Sequence, residues 1–419
     1  MTSSGSRAMI PCRGLPVFER QTQCSSIDLL RDAGPSAPVH LKSQPKVCHS
    51  GLMVSVNSTR GFTSRRNPFD VSARDLLRSA TRAVVCREHS LMIITNERLA
   101  QGRIIREPVG CGSGYWVGCP GAYYDALEKA WYLTYRIRRP RGVSPDRGGE
   151  VRIARSTDLL QWDDVLTITK DRYDSASIER SCLHRGTDGL WRYFTSYVHP
   201  EDGRWCTAVM KASTVAELDP AKREVIFTGP PLGLEGVKDP WIMEVDGMYY
   251  LYLSIATPTP ATGGDSHGTL DIFNTGECKS ATGLAISRDL DHWEWQGVVL
   301  APGATGWDCY CRRLNSVVPI SDGGAGARYL AFFDGSASHL ENYEEKCALA
   351  VSSDLRHWES RSPHGPTFTS PYASTSLRYI DAKFAAGVWH LFYEFAREDG
   401  SHDLRLITCE AQDLAALAR

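Results

Sequence analysis

A seven-residue pattern, Ser-x-Asp-Leu-x-x-Trp, occurs three times in this chain, at residues 156–162, 287–293 and 352–358. Each copy follows a short apolar stretch that is typical of a β-strand, at residues 151–154, 283–286 and 349–351. In tight turns, Ser and Asp side chains bond to nearby backbone, while Leu and Trp supply apolar surface that can cover a sheet edge. Chance recurrence of one turn is the simpler interpretation, but three copies in one frame favour a repeat protein.

The chain from about residue 83 onward repeats on a larger scale as well, with short apolar and aromatic strands between Gly, Pro and Asp turns. Five times, an opening strand is followed by an aromatic strand: 115–124 with 131–135, 177–184 with 191–197, 239–245 with 248–254, 315–320 with 328–333, and 377–384 with 389–394. The period of about 60 to 75 residues suits four strands plus loops. The sequence therefore predicts an all-β fold, a five-bladed β-propeller, with helical pattern near the end at residues 411–417.

Residues 1–80 differ from the rest, because they are rich in Ser, Arg, Pro and Gly and show no sustained period. Such a composition is typical of segments that do not bury a core of their own. We therefore expect a flexible N-terminal extension over residues 1–80 and the propeller over residues 81–419. A targeting role for the extension stays open.

Composition limits the partners of this chain of 419 residues. Its net charge of −2 gives no reason to expect binding to nucleic acid or to an anionic membrane surface. No apolar run approaches the roughly 20 residues of a membrane-spanning helix, and the first residues lack the apolar core of a secretory signal. The 13 cysteines lack zinc-type spacing, which favours buried free thiols. We expect a cytoplasmic protein without metal or cofactor; the sequence is silent on its oligomeric state.

In a propeller the opening strands line a central channel, so polar residues near their starts are the candidate site residues. Two of these are carboxylates at equivalent places in successive units, Glu179 and Asp239. Pro240 cannot donate to a ladder, so we expect the third opening strand to pair only after Asp239 and to leave that carboxylate free. The alternative is that Asp239 caps a strand and Glu179 pairs with Arg180, but the equivalent placement favours a function.

The other candidates surround these two carboxylates in the predicted channel. Glu344 and Glu345 lie in the predicted loop between the second and third strands of the fourth unit, and either could supply a catalytic acid. Glu345 is the candidate chosen here, and a solvated acidic loop is the alternative. The candidate substrate-binding residues are Trp116, Arg136, Arg180, Lys238, Arg313, Asn315 and Arg378. Arg136, Arg138 and Arg139 are expected just after the first aromatic strand, where they would clamp a carboxylate or phosphate or belong to a solvated basic loop. Carboxylates, arginines and aromatic rings around one funnel suit a sugar.

The repeated turns, together with the run Lys238-Asp239-Pro240 and residues 247–252, resemble the five-bladed propeller glycoside hydrolases of families 43, 32 and 130. The resemblance covers about residues 100–410 and fits no single family closely. It implies a carbohydrate substrate, with one inner-strand acid as general acid and another as base or nucleophile. Asp239 matches the Asp-Pro position of these families, and Glu179 resembles an inner-strand acid.

One departure from that resemblance affects the predicted reaction. The families usually place an Asp before Pro in the first unit, where this chain has Cys119. The leading hypothesis is a glycosidase that uses Glu179, Asp239 and Glu345. A propeller that binds a sugar or a protein without catalysis, a phosphorylase, and an enzyme that uses this fold for other chemistry remain alternatives.

Overall fold

Residues 94–323 and 326–419 are described by a computed structural model of the chain. In chain order the strands are β1 (Arg103–Arg106), β2 (Trp116–Asp125), β3 (Ala130–Arg139), β4 (Arg147–Ser156), β5 (Asp163–Thr169), β6 (Ile178–Arg185), β7 (Trp191–Val198), β8 (Trp205–Ala212), β9 (Glu224–Phe227), β10 (Gly236–Val245), β11 (Met248–Pro258), β12 (Cys278–Ser287), β13 (Glu294–Leu300), β14 (Cys311–Gly323), β15 (Ala327–Ser336), β16 (Lys346–Ser352), β17 (Glu359–Ser360), β18 (Leu377–Ala385), β19 (Val388–Ala396) and β20 (His402–Cys409). The α-helices are α1 (Asn96–Ala100) and α2 (Ala411–Leu417). Short 3-10 helices lie in the loops at Lys170–Tyr173, Val215–Glu217, Pro220–Lys222, Pro230–Leu232, Ile272–Asn274 and His339–Glu341.

These strands pair as five antiparallel four-stranded blades, so the predicted five-bladed β-propeller is confirmed. The blades are β2–β5, β6–β9, β10–β13, β14–β17, and β18–β20 completed by β1. The innermost strands β2, β6, β10, β14 and β18 each contact the next, and β18 returns to β2. Apolar side chains fill the spaces between neighbouring blades.

The fifth blade joins the two ends of the propeller sequence, because β1 precedes the first blade and pairs with β20 of the last one. Four residues are too few for a period to show in sequence, so this strand was not predicted. The predicted extension over residues 1–80 lies outside the described residues, as do residues 81–93. The predicted helix at residues 411–417 is α2.

The opening strand of the third blade begins earlier than predicted. β10 starts at Gly236, three residues before Asp239, and residues 236–238 pair with β11. The register then shifts between Lys238 and Trp241, so Asp239 and Pro240 form a bulge inside the strand and do not precede it. Val237 is fully buried, which explains why pairing extends upstream of the proline.

The same irregularity occurs in all five inner strands. The register shifts lie between residues 118 and 121, 178 and 181, 238 and 241, 314 and 316, and 378 and 381. The shifts place one residue of each blade at an equivalent position: Cys119, Glu179, Asp239, Asn315 and Tyr379. Cys119, Asp239 and Tyr379 adopt φ of 52°, 54° and 56°, a region that non-glycine residues rarely occupy. Bulges redirect side chains, so each blade contributes one such residue near the start of its inner strand.

The repeated Ser-x-Asp-Leu-x-x-Trp turns connect the third and fourth strands of three blades. In the third blade, the Ser287 Oγ accepts the N–H of Leu290 at 2.9 Å, and Asp289 accepts two backbone N–H groups at 2.8 and 2.9 Å. The Trp293 indole N–H donates to the Leu290 carbonyl at 3.2 Å. Leu290 has a φ of 69° and is buried, so the turn is held by its own side chains.

Each repeated tryptophan packs against the blade that precedes its own, and not only on its own blade edge as the sequence suggested. Ring centroids lie 6.2 Å apart for Trp162 and Phe392, 5.7 Å for Trp293 and Phe194, and 6.2 Å for Trp358 and Tyr252. The repeat therefore marks a contact between blades, which explains why it recurs once per blade in three of them.

The composition led us to expect neither a membrane-spanning helix nor disulfide bonds. No helix of the described residues is both long and apolar enough to cross a membrane. The nine cysteines that the structure describes are free thiols, and seven of them are buried. Within this part of the chain the cysteines therefore behave as small core residues.

We expect Trp293→Ala to lower the free energy of unfolding by roughly 2 kcal/mol, because the inter-blade ring contact and part of its buried area are lost. Urea denaturation followed by circular dichroism measures this. Leu160→Ala, at an exposed position of the first repeated turn, is the matched control and should leave the midpoint almost unchanged. Equal effects of the two substitutions would contradict an inter-blade role for the tryptophan.

Candidate functional site

Eight charged side chains of alternating sign surround the channel, and all five blades contribute to them. This charge ring consists of Lys238, Glu179, Arg136, Glu394, Arg378, Glu345, Arg313 and Asp239. Every member is at most 4% exposed. Buried charges need partners of opposite sign, and the alternation supplies them.

One half of the charge ring is centred on Glu179. Its carboxylate lies 2.8 Å from the Lys238 Nζ and 3.3 Å from the Arg136 Nη1. The pairing of Glu179 with Arg180, considered from the sequence, is therefore wrong. Arg136 also reaches Glu394 at 3.8 Å, and it lies within β3, not after it as predicted.

The other half runs through Arg378, whose guanidinium lies 2.7 Å from both Glu394 and Glu345. Glu345 also contacts Arg313, and Arg313 is 3.8 Å from Asp239. Glu345 is only 1% exposed, so the solvated-loop alternative considered for it from the sequence is wrong. Asp239 follows Lys238 in sequence, which returns the ring to its starting point.

The ion pairs determine the protonation of the ring. Burial would raise the pKa of Glu179, but Lys238, Arg136 and Arg138 hold that pKa well below its usual range. Burial would lower the pKa of Lys238, yet Glu179 and Asp239 raise it. Glu179 is consequently an ionised carboxylate at neutral pH, suited to act as a base or to stabilise positive charge and not to donate a proton.

Asp239 is the least constrained member of the ring. Neither of its carboxylate oxygens has a hydrogen-bond partner among the described residues, and its ion pair with Arg313 is long. Its backbone N–H, by contrast, donates to the Ser196 Oγ at 2.7 Å. The Asp239 backbone is thus anchored while its carboxylate stays free of hydrogen bonds from the described residues, as the sequence led us to expect. The cause differs from the expected one, because Asp239 lies in a bulge inside β10 and not at the end of the strand.

The first blade places a thiol where Asp239 and Glu179 stand in their own blades. The Cys119 N–H donates to Glu394 at 3.2 Å. Burial raises the pKa of the Cys119 thiol to about 12, against the opposite effect of Arg136. Cys119 is therefore uncharged at neutral pH and supplies neither a base nor a thiolate nucleophile.

The remaining predicted binding residues lie at the same end of the channel. Arg180 donates to the Pro120 carbonyl at 3.2 Å and to the Asn315 carbonyl at 3.0 Å, so it links three blades through backbone oxygens. The Trp116 ring stacks on His402, with centroids 4.8 Å apart. The structure therefore brings together every predicted binding residue: Trp116, Arg136, Arg180, Lys238, Arg313, Asn315 and Arg378.

The loop between β15 and β16 lies against the charge ring. Its Tyr343 ring is 3.7 Å from the guanidinium carbon of Arg138, and its hydroxyl bonds to Asp271. Glu344, next in the loop, lies 3.1 Å from the His402 Nε2. This loop thus places Tyr343 over Arg138 and brings Glu345 into the charge ring.

Sequence reasoning missed the residues of the second strands that support the bulges. Glu394 accepts from Cys119, Asp334 from the Tyr379 N–H at 3.1 Å, and Ser196 from Asp239. Each of these bonds fixes the bulge of the next blade. A carboxylate inside the aromatic run 391–395 was a visible signal for Glu394, because an unpaired charge does not belong in such a strand.

The site contains charged groups but no ready-made metal centre. Within the described residues no three His, Cys, Asp or Glu side chains are grouped as metal ligands.

Comparisons with known proteins support the fold. No protein-family model matches the chain, and no curated protein matches it in sequence. Among solved structures, that of BT0996 in a complex with RGII is 14% identical over 76% of this protein and 96% of BT0996, with a TM-score of 0.50. A levansucrase variant of B. subtilis is 12% identical over 74% of this protein and 86% of the levansucrase, with a TM-score of 0.51. An endo-arabinase from Bacteroides thetaiotaomicron is 13% identical over 73% of this protein and 97% of the arabinase, with a TM-score of 0.48.

Identities this low establish a shared fold and leave the reaction undetermined. The protein is thus similar in fold to propeller-type glycosidases, in agreement with the resemblance drawn from its motifs, and no close family match accompanies that similarity.

Glu394→Gln should lower the free energy of unfolding by about 3 kcal/mol, since it leaves the buried Arg378 without half of its compensating charge. Chemical denaturation measures this effect. Glu359→Gln removes an exposed carboxylate paired with Arg361 and is the control, expected to change stability little. A stable Glu394→Gln protein would show that the charge ring does not hold the blades together.

A pH prediction follows from Asp334, whose pKa burial raises to about 7 although Arg313 acts in the opposite direction. A carboxyl with a raised pKa in the folded state binds a proton on folding. Its stabilising contribution is therefore full below its ordinary pKa and is lost as the pH rises through about 7. The wild type should lose stability relative to Asp334→Asn, by up to a few kcal/mol, between about pH 4 and about pH 7. Urea midpoints of both proteins at several pH values test this, and parallel curves would refute it.

Proposed function

We propose that this protein binds a carbohydrate at the charge ring and cleaves a glycosidic bond there, with Asp239 as the reacting carboxylate. The observation that supports this most is that the Asp239 carboxylate is buried and accepts no hydrogen bond from the described residues, in a ring whose other carboxylates have close cationic partners. Such a group is costly to maintain unless a ligand or a reaction uses it. Asp239 would act as base or nucleophile.

Glu179 would take the stabilising role. Its ionised carboxylate, at the equivalent bulge of the preceding blade, would favour positive charge that develops on the sugar ring during cleavage. Its ion pairs with Lys238 and Arg136 would hold it in position.

Glu345 fits a positioning role better than the role of catalytic acid expected from the sequence. It lies between Arg313 and Arg378, and two guanidinium groups favour a charged carboxylate. It would thus hold both arginines towards the substrate instead of giving up a proton.

Sugar binding is supported by polar atoms of both kinds that lack hydrogen-bond partners within the described chain. The donors include the Arg136 Nε and the Asn315 Nδ2, and the acceptors include both oxygens of Asp239. Sugar hydroxyls donate and accept, so one ligand could satisfy both kinds. Because Tyr343 covers this region, entry of the sugar requires its loop to move.

A second candidate, a propeller that binds carbohydrate without cleaving it, is favoured by one specific observation. Cys119 replaces the first-blade acid by a neutral thiol, and Glu179 is held in its charged form, so neither of the residues equivalent to Asp239 in the two preceding blades is suited to be the general acid.

The substitution Asp239→Asn tests the catalytic role of this carboxylate. If the protein is a glycosidase, this substitution should lower turnover of chromogenic 4-nitrophenyl glycosides by about a hundredfold or more, with the melting temperature retained. Asp246→Asn is the matched control, because Asp246 is an exposed residue of the same blade that also has positive φ. It should keep full activity.

Undiminished turnover by folded Asp239→Asn protein would refute the catalytic assignment. Glycan binding by the wild type without release of any product would establish the second candidate instead.

A further inference from the structure

Cations outnumber carboxylates where the inner strands begin. The charge ring itself is balanced, with four cations and four carboxylates. Two further arginines, Arg138 and Arg180, lie beside it and are 5% and 1% exposed. Two nearby carboxylates do not offset them, because Asp271 lies 3.7 Å from Arg147 and Glu344 lies 3.1 Å from His402. A third, the buried Asp334, interacts with Arg313, Arg378 and Arg180 and offsets at most one positive charge, since burial raises its pKa to about 7. At least one positive charge at the site therefore stays unbalanced.

Arg180 and Arg138 differ in how many hydrogen-bond acceptors surround their guanidinium groups. Arg180 donates to the carbonyls of Pro120 and Asn315 and to the Asn315 side chain. Among the described residues Arg138 forms an ion pair only with Glu179, at 3.9 Å, and that carboxylate already has two closer cations. The Arg138 Nη1 has no hydrogen-bond partner among the described residues.

Aromatic rings hold the Arg138 guanidinium in place. Its central carbon lies 3.7 Å from the centre of the Tyr343 ring and 5.0 Å from that of Trp116. Such contacts orient the planar group without using its N–H donors. The donors therefore remain available to a ligand.

Arg136, two residues earlier on β3, adds donors of the same kind. Its Nε and Nη2 also lack hydrogen bonds within the described chain, and its Nη2 is 3.8 Å from Glu394. Both arginines lie near Glu179, so their unpaired donors belong to one region. Buried guanidinium donors without acceptors are costly, and their planar geometry matches a bidentate oxyanion.

We infer that Arg138 and Arg136 bind an oxyanion of the ligand, either the carboxylate of an acidic sugar or free phosphate beside a neutral one. The inference rests on the proposed carbohydrate site and specifies its substrate class. Arg138 would be the specificity-determining residue, because it carries the charge that the ring does not balance.

The test compares acidic and neutral sugars that differ only at one carbon. Binding of glucuronate against glucose, of galacturonate against galactose, and of inorganic phosphate with and without each neutral sugar is measured by calorimetry on the full chain. We expect each acidic sugar, or phosphate, to bind about tenfold or more tightly than the neutral sugar, since hydrogen bonds to charged groups are the stronger ones.

Arg138→Gln should remove this preference, whereas Arg155→Gln, which removes the same charge from an exposed pair with Glu128, should retain it. Arg138→Lys keeps the positive charge but lacks the planar pair of guanidinium N–H donors. We therefore expect it to show part of the preference that Arg138→Gln loses. Thermal melting verifies that each variant is folded. Preference for the acidic sugar identifies a carboxylate ligand, and preference for phosphate identifies phosphate; both support the oxyanion site.

Equal binding of acidic and neutral ligands by the wild type overturns the inference, as does a preference that survives in folded Arg138→Gln protein. These results are distinct from failure of the proposed function. Cleavage of neutral glycosides without any oxyanion preference would leave the function intact and refute the inference. Oxyanion binding without cleavage of any glycoside would support the inference and refute the proposed cleavage.

Discussion

The pairing of buried opposite charges across the channel is the interaction on which the rest of this structure depends. Arg136 from the first blade lies between Glu179 of the second and Glu394 of the fifth. Arg378 then joins Glu394 to Glu345 of the fourth blade. A buried charge without its partner costs several kcal/mol, and most of these pairs join different blades, so the blades must close together before all of these groups are satisfied. The ring therefore couples the closure of the propeller to the assembly of its site.

Two local features, the inner-strand bulges and the outer repeated turns, make such a ring possible. The bulges shift one residue per blade out of the strand ladder, and second-strand side chains such as Ser196 and Glu394 capture the exposed N–H groups of the next blade. On the outer side, the repeated turns pack Trp293 and its counterparts against the preceding blade. Neighbouring blades therefore contact each other both at the inner strands and at the outer turns. These contacts restrict the movement of the charged groups that lie between them.

This rigidity is also what distinguishes the members of the site chemically. Glu179 and Glu394 are held ionised by their cations, and Cys119 is held neutral by burial. Asp239 stands apart, with a fixed backbone and a carboxylate that no hydrogen bond engages among the described residues. In the proposed function, reaction or recognition depends on the few groups that the network leaves unsatisfied, and the network serves to orient them.

The sequence by itself determined the architecture and which residues of the inner strands are candidates for a site. The recurring turns and paired strands predicted the five blades, because their signals are local and periodic. The equivalent positions of Glu179 and Asp239 followed from the same periodicity. What depends on contacts between distant residues was decided by the tertiary structure alone. It decided that β1 completes the last blade, that Glu179 pairs with Lys238 and not with Arg180, and that Glu394 reaches Cys119. Ion pairs between blades join residues far apart in sequence, and no local pattern specifies which charge will meet which once the propeller closes.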